Sequence, residues 1–159
     1  MRPGDSTSHS SATTPAGRPI AVLAGSSGRP LAAGIARRLG MEPLPTRTER
    51  FPDGEYDVAV DPGVRNADAY LVQSLGPPVN DHLVELLLLL DAVRRAGAAR
   101  LTAVIPYLGY ARKDRRSTPG EAVGLRVAAD LIVGAGAEGA ILVDPHVPQV
   151  DSIFSVPLD

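Results

Sequence analysis

The 159-residue sequence predicts an α/β fold, in which a mostly parallel sheet carries helices on its faces. Short apolar runs, typical of buried strands, alternate along the chain with longer segments whose apolar residues recur at helical spacing. Parallel strands need such helices between them, because the chain must cross back over the sheet before each new strand. The predicted strands are 20–23, 69–72, 101–105 and 140–143, and the predicted helices are 31–39, 81–97 and 121–133.

Turn-forming residues separate these elements. The first strand ends at Ala-Gly-Ser-Ser-Gly-Arg-Pro, and the first helix follows that loop. After the second strand comes Gly-Pro-Pro-Val-Asn, so we expect Asn80 or Asp81 to cap the long helix, which should end near Gly97. Five consecutive leucines at 86–90 make this helix apolar on nearly all sides. We expect one flank to face the sheet and another a second subunit, the alternative being burial within one large domain.

Composition limits the possible functions. A chain of this length suits one domain, and its net charge of −2 provides no general attraction for nucleic acid or an anionic membrane. The absence of cysteine excludes disulfides and thiolate chemistry and fits a cytoplasmic protein. Residues 1–17 are rich in Ser, Thr, Pro and Gly, and we expect a disordered tail rather than a signal peptide. The longest apolar run, 86–90, is too short to span a membrane.

A β-hairpin is predicted within residues 50–60, between the first helix and the second strand. Pro-Asp-Gly marks its turn, and the residues that follow alternate between apolar and polar as in a strand. The turn also groups Phe51, Asp53 and Glu55, an aromatic ring with two carboxylates. Such a group is suited to stacking on a purine and accepting a hydrogen bond from its amino group. The alternative is a plain hairpin turn without a binding role.

The loop after residue 105 is strongly cationic. Ligands of parallel sheets bind beyond the carboxyl ends of the strands, where this loop begins. It carries four cations in five positions, with Asp114 among them, and Gly109 would allow close approach of the backbone to a ligand. The four cations, Arg112, Lys113, Arg115 and Arg116, suit a polyphosphate, because arginine offers a planar fork that matches phosphate oxygens. A solvated surface loop is the alternative.

Asp144 and His146 follow the last predicted strand. Residues two apart share a face where strand geometry persists, so this pair has the spacing to bind one divalent cation together with phosphate oxygens. The alternative is that His146 forms a hydrogen bond within the turn.

Four segments in this order and spacing resemble the N-terminal half of ribose-phosphate diphosphokinase, also called phosphoribosyl pyrophosphate synthetase. They are Arg-Phe-Pro-Asp-Gly-Glu at 50–55, the segment 78–87, the segment 100–115 and the segment 144–159. The resemblance covers residues 20–159 and implies a phosphoribosyltransferase-like three-layer sandwich, the first of the family's two domains. Departures include Lys113, where glutamine is usual, and Pro145, where an aliphatic residue is usual.

The resemblance implies a magnesium-dependent transfer of the diphosphoryl group of ATP to ribose 5-phosphate, which gives phosphoribosyl pyrophosphate and AMP. It also implies a homo-oligomer whose active site is shared between subunits, without nucleic acid or membrane partners. Phe51, Asp53 and Glu55 would hold the adenine of ATP bound mainly to a neighbouring subunit. The host subunit would contribute Arg112, Lys113, Asp114 and His146 to ATP, and Asp144 and His146 to Mg²⁺.

The resemblance assigns no catalytic residue to this half of the family's chain. The ribose 5-phosphate domain of the family is not expected within these 159 residues, so the sequence has the character of a fragment or half-enzyme. Three interpretations are open: the nucleotide-binding half of a synthetase, a non-catalytic regulatory subunit that joins the synthetase, or an inactive gene remnant.

Overall fold

Six strands and three helices make up the part of the chain that the structure, a computed structural model, describes: residues 12–15, 17–143, 145 and 148–159. In chain order they are β1 (Ile20–Ala24), α1 (Arg29–Arg38), β2 (Thr46–Arg50), β3 (Tyr56–Val60), β4 (Asp68–Val72), α2 (Val79–Arg95), β5 (Arg100–Ile105), α3 (Gly124–Gly134) and β6 (Gly139–Leu142). Short 3-10 turns lie at Pro62–Val64 and Pro148–Ser152.

Four strands form a parallel sheet in the order β1-β4-β5-β6, which confirms the predicted parallel sheet. Ile20 pairs with Asp68 where β1 and β4 begin, and Ile105 pairs with Leu142 where β5 and β6 end. Because all four strands run the same way, the loops that follow them meet at one edge of the sheet, the carboxyl edge. Strands β2 and β3 pair separately as an antiparallel hairpin, as the sequence predicted.

Helices cover both faces of the sheet. Side chains of successive strand residues point to opposite faces, and the strands are apolar on both because both are buried. Leu23 and Leu71 pack in one cluster with the buried sides of α2 and α3, whereas Val22 and Val72 pack in a second cluster with α1. The result is a three-layer sandwich, in agreement with the expected fold.

Helix α2 buries the flank that faces the sheet. Leu86, Leu89 and Leu90 are fully buried, and burying one leucine contributes about 1.5–3 kcal/mol. Val84 and Leu88 lie on the opposite flank and are 46% and 37% exposed. The sheet-facing flank is thereby confirmed, and the contact of the other flank with a second subunit stays a prediction.

Two predicted helix starts are wrong. Neither Asn80 nor Asp81 caps α2, which begins at Val79 with Pro78 in an extended conformation at the N-cap and without a side-chain cap. Both polar side chains contact residues outside the helix instead. Helix α3 begins at Gly124 rather than at residue 121, because the Glu121 carboxylate binds donors of the preceding loop.

Part of the predicted tail lies against the fold. Thr13 forms an antiparallel bridge with Pro19, and the Ile20 amide donates to the Ala12 carbonyl at 2.9 Å. Residues 1–11 and residue 16 lie outside the described residues, so disorder of the tail stays a prediction. Across the described ranges, no helix is both long and apolar enough to cross a membrane.

Candidate functional site

The loop between β5 and α3 presents free cations at the carboxyl edge. Arg112, Arg115 and Arg116 are exposed, and none of them forms an ion pair with another described residue. Asp114 is half-buried. Three guanidinium groups without a carboxylate partner have their hydrogen-bond donors available for an anion such as a phosphate. Anion binding by this loop stays a prediction.

Lys113 differs from these arginines because it has a partner. Its ammonium lies 2.6 Å from Oε2 of Glu121, and the same oxygen accepts hydrogen bonds from the Ser117 amide at 2.7 Å and the Thr118 amide at 3.2 Å. The ammonium of Lys113, followed by the two amides, lowers the pKa of Glu121 to about 2. Glu121 is therefore ionised at neutral pH.

Tyr110 and Gly109 attach the loop to the start of α2. The Tyr110 hydroxyl donates to the side-chain oxygen of Asn80, and Tyr110 has a φ of 65°, which is uncommon for a residue with a side chain. A Cβ at Gly109 would lie 2.7 Å from a methyl carbon of Val79 and 3.1 Å from the Leu75 carbonyl oxygen. Gly109 is thus required for packing within the protein, and close approach of a ligand to its backbone stays a prediction.

The turn of the hairpin presents Phe51, Asp53 and Glu55 to solvent. All three are exposed, Phe51 by 42%. The Phe51 amide donates to the Glu55 carbonyl at 2.8 Å, and the Glu55 amide donates to Oδ1 of Asp53 at 3.1 Å. Asp53 therefore shapes the turn with one carboxylate oxygen, while the ring of Phe51 is left partly uncovered.

The base of the hairpin is also attached to the start of α2. Arg50 lies 3.7 Å from Oδ2 of Asp81, and its guanidinium carbon is 5.8 Å from the centre of the Tyr56 ring. Because Asn80 binds the cationic loop, two adjacent residues of α2 anchor the two segments that the sequence singled out. The sequence predicted these residues as caps and missed this anchoring role.

A buried carboxylate beneath the loop after β1 was not predicted. Glu85 is 1% exposed and accepts hydrogen bonds from the Ser26 amide at 2.9 Å, the Ser26 hydroxyl at 2.5 Å and Nε2 of Gln73 at 2.7 Å. Burial raises the pKa of Glu85, but hydrogen bonds, above all those from Ser26, lower it by more, and the net pKa is below the usual 4.5. The available signal was the position of Glu85, a charged residue directly before five consecutive leucines.

The loop after β1 points its hydroxyl groups inward. The Ser27 hydroxyl lies 2.8 Å from Oε1 of Gln73 and 2.7 Å from the Ser74 carbonyl oxygen, and it accepts from the Ser74 amide at 3.1 Å. A Cβ at Gly28 would lie 2.0 Å from the Val72 carbonyl oxygen, so only glycine fits there. The loops after β1 and β4 are in this way fixed to each other.

Asp144 and His146 lie outside the described residues, so their predicted metal site stays a prediction. Within the described part of the chain, no group of three or more histidine, aspartate or glutamate residues could hold a metal ion.

A cavity of about 500 Å³ lies at the opposite, amino edge of the sheet, where Ile20, Met41 and Ala67 contribute to its wall. It is therefore separate from the cationic loop.

Comparisons with known proteins decide the family. A family model described as the N-terminal domain of ribose phosphate pyrophosphokinase matches residues 20–136. The chain belongs to the ribose-phosphate pyrophosphokinase family. Ribose-phosphate pyrophosphokinases from Synechocystis and Nostoc are 42% and 44% identical to it, each over 140 residues, which are 88% of this chain and 42% of the relative.

Solved structures agree with this family. A crystal structure of phosphoribosylpyrophosphate synthetase from Mycobacterium smegmatis superimposes with a TM-score of 0.84 and 35% identity, covering 88% of this chain and 47% of that one. The resemblance inferred from the four segments is thus confirmed. The chain spans less than half the length of the curated relatives named above.

Proposed function

We propose that this chain is the ATP-binding half of a ribose-phosphate pyrophosphokinase, which transfers the diphosphoryl group of ATP to ribose 5-phosphate. Phosphoribosyl pyrophosphate and AMP would be the products. The observation that carries the proposal is the cationic loop at the carboxyl edge of the sheet. Its three exposed guanidinium groups have no ion-pair partner among the described residues. Diphosphoryl transfer needs little covalent help from a protein and much neutralisation of charge, which these groups supply.

The cationic loop would bind the nucleotide held by its own subunit. Arg112 and Asp114 would contact the nucleotide, as the resemblance to the family implies. Lys113 belongs to the same loop, with its ammonium at Glu121. Charge-assisted hydrogen bonds from arginine to phosphate are roughly twice as strong as neutral ones. The loop therefore accounts for much of the affinity for the triphosphate.

The hairpin turn would bind the adenine of ATP held mainly by a neighbouring subunit. Phe51 supplies an exposed ring for stacking, and the exposed carboxylate of Glu55 is an acceptor for the amino group of adenine. Asp53 would contribute the turn itself, because its Oδ1 binds the Glu55 amide. The exposure of all three side chains supports a site that is completed by a second chain.

Mg²⁺ would be held by Asp144 and His146. A carboxylate oxygen and an imidazole nitrogen, completed by phosphate oxygens and water, form a suitable ligand set for a divalent cation. The described residue Leu142, which precedes this segment, pairs with Ile105, from which the cationic loop departs. Strands β5 and β6 therefore end side by side. When bound, Mg²⁺ would neutralise charge on the phosphates of ATP.

A second copy of the chain would pack on the outer surface of α2 and α3. Val84 and Leu88 of α2 and Val127 and Leu131 of α3 are between 37% and 52% exposed. A groove of about 270 Å³ lies nearby, with Leu83 and Leu131 in its wall. Exposed apolar surface of this kind is typical of subunit interfaces.

A cytoplasmic location stays a prediction of the cysteine-free sequence.

Titration of the 159-residue chain with MgATP, followed by calorimetry, tests the proposal. Arg112→Ala should weaken binding by roughly tenfold or more, because a charge-assisted hydrogen bond contributes about 1.5–3 kcal/mol. Arg38→Ala is the matched control, since Arg38 is an exposed arginine at the end of α1, at the amino edge of the sheet. Equal affinities of the two variants in the assembled oligomer would contradict the assignment of the loop.

A further inference from the structure

We propose that Lys113 is a positioning residue, which holds the cationic loop in shape through Glu121 and leaves the phosphate contacts to the arginines. The shape of the loop follows from contacts within this chain. The part that concerns nucleotide binding rests on the proposed function.

The Glu121 carboxylate is the centre of the loop. Its Oε2 receives the Lys113 ammonium at 2.6 Å and the amides of Ser117 and Thr118 at 2.7 and 3.2 Å. The Glu121 amide in turn donates to the Thr118 carbonyl at 3.4 Å. The side chain and the main chain of Glu121 therefore both form hydrogen bonds within the turn at residues 117–121. The Lys113 ammonium binds the same carboxylate and so connects residue 113 to that turn.

The backbone of Lys113 is fixed as well. Its carbonyl accepts a hydrogen bond from the Leu125 amide at 3.1 Å, and its amide donates to the Tyr110 carbonyl at 3.1 Å. These two hydrogen bonds connect Lys113 to Tyr110, earlier in the loop, and to Leu125 in the first turn of α3. Residues 114–120 lie on the stretch of chain between Lys113 and Leu125. The ion pair between Lys113 and Glu121 joins the two ends of residues 114–120, the segment that contains Arg115 and Arg116.

An existing partner makes Lys113 the least available of the loop's cations. To contact a phosphate, the Lys113 ammonium would have to break its ion pair with Glu121. Arg112, Arg115 and Arg116 have no carboxylate partner among the described residues, so they would break no such pair. Glutamine, the residue usual for the family at position 113, is neutral and cannot form an ion pair with Glu121. The ion pair with Glu121 therefore depends on the lysine at position 113.

Limited proteolysis with an arginine-specific protease tests the shape of the loop without nucleotide. We expect Glu121→Gln and Lys113→Gln each to raise the rate of cleavage after Arg115 and Arg116 several-fold, measured by mass spectrometry of the fragments. Lys113→Arg keeps the charge pair and should retain the wild-type rate of cleavage after Arg115 and Arg116, with cleavage at the new arginine site at position 113 counted separately by the fragment masses. Glu138→Gln, which removes an exposed carboxylate in the turn before β6, is the matched control and should not change it.

Titration of the same variants with MgATP separates a positioning role from a direct contact. Loss of the ion pair should weaken binding to a similar degree in Glu121→Gln and Lys113→Gln. The double variant should be no weaker than either, because both changes remove one interaction. If Lys113 contacts phosphate directly, Glu121→Gln frees its ammonium and tightens binding, which would overturn the proposal.

Unchanged cleavage in Glu121→Gln and Lys113→Gln would overturn it too. If the wild-type chain binds no MgATP, the proposed function fails, and the cleavage rates alone then decide whether Lys113 shapes the loop.

Discussion

Replacement of Glu85 by glutamine tests whether the buried carboxylate stabilises the carboxyl edge of the sheet. The carboxylate accepts hydrogen bonds from two N–H donors, the Ser26 amide and Nε2 of Gln73, through different oxygens. The Ser26 hydroxyl can rotate to accept from a glutamine amide, but the Ser26 amide cannot. A flip of the Gln73 side-chain amide would place its Nε2 against the Ser27 amide, which is also a donor. In either orientation of the new amide, one buried N–H group therefore faces another donor, which costs about 1–3 kcal/mol.

Thermal unfolding followed by circular dichroism measures this cost. For a chain of this size each kcal/mol shifts Tm by about 2–4 °C, so Glu85→Gln should lower it by about 2–12 °C. The exposed Glu138 provides the control, because Glu138→Gln at such a site changes stability by less than about 0.5 kcal/mol. If Glu85→Gln melts at the same temperature as Glu138→Gln, the hydrogen bonds of Glu85 contribute nothing to stability.

The pH dependence of stability provides a second check on Glu85. Its pKa in the folded state is below the usual 4.5, although burial alone would raise it, because the hydrogen bonds favour the ionised form. In acid the unfolded chain therefore binds more protons than the folded chain. The contribution of Glu85 to stability is fully present above pH 4.5 and is lost as pH falls through the pKa that Glu85 has in the folded state. The stability difference between wild type and Glu85→Gln should therefore shrink below that pH, and a constant difference would contradict this account.

Further predictions concern packing and assembly. Gly28→Ala should destabilise the fold by more than about 3 kcal/mol in chemical denaturation, because its Cβ would lie 2.0 Å from the Val72 carbonyl oxygen. Gly34→Ala on α1, where nothing lies within 4 Å of the new Cβ, should instead stabilise by about 1 kcal/mol, and the reverse order would refute the packing described here. Leu131→Glu places a charge on the apolar surface of α3 and should shift the proposed oligomer towards monomers in sedimentation velocity; sedimentation like the wild type would exclude this surface as the interface.

The sequence predicted the sheet and its helices because those elements depend on local patterns. Buried strands and amphipathic helices show their periodicity in the chain itself, and each predicted strand and helix is present, with shifted ends. The starts of α2 and α3 were wrong for a tertiary reason. Asn80 and Glu121 resemble residues of a first helical turn, but their side chains bind Tyr110 and Lys113, and no local pattern reveals those partners.

The candidate site was predicted as separate segments rather than as an assembly. Charge density drew attention to the loop that contains Arg112, and the Pro-Asp-Gly turn to the hairpin that presents Phe51. The sequence also assigned Lys113 to the same role as the neighbouring arginines, since charge alone does not show which cation has a partner. Glu85 was missed because the leucines that follow it in the chain suggested an apolar surface.

Helix α2 explains how these segments form one structure. Its first turn binds the cationic loop through Asn80 and the base of the hairpin through Asp81. One turn later Glu85 binds the loop after β1 and Gln73 after β4. The buried leucines that follow fix α2 on the sheet, so the positions of four functional or supporting segments depend on the packing of one helix. A substitution in the leucine core of α2 would thus disturb the proposed nucleotide site through these four segments.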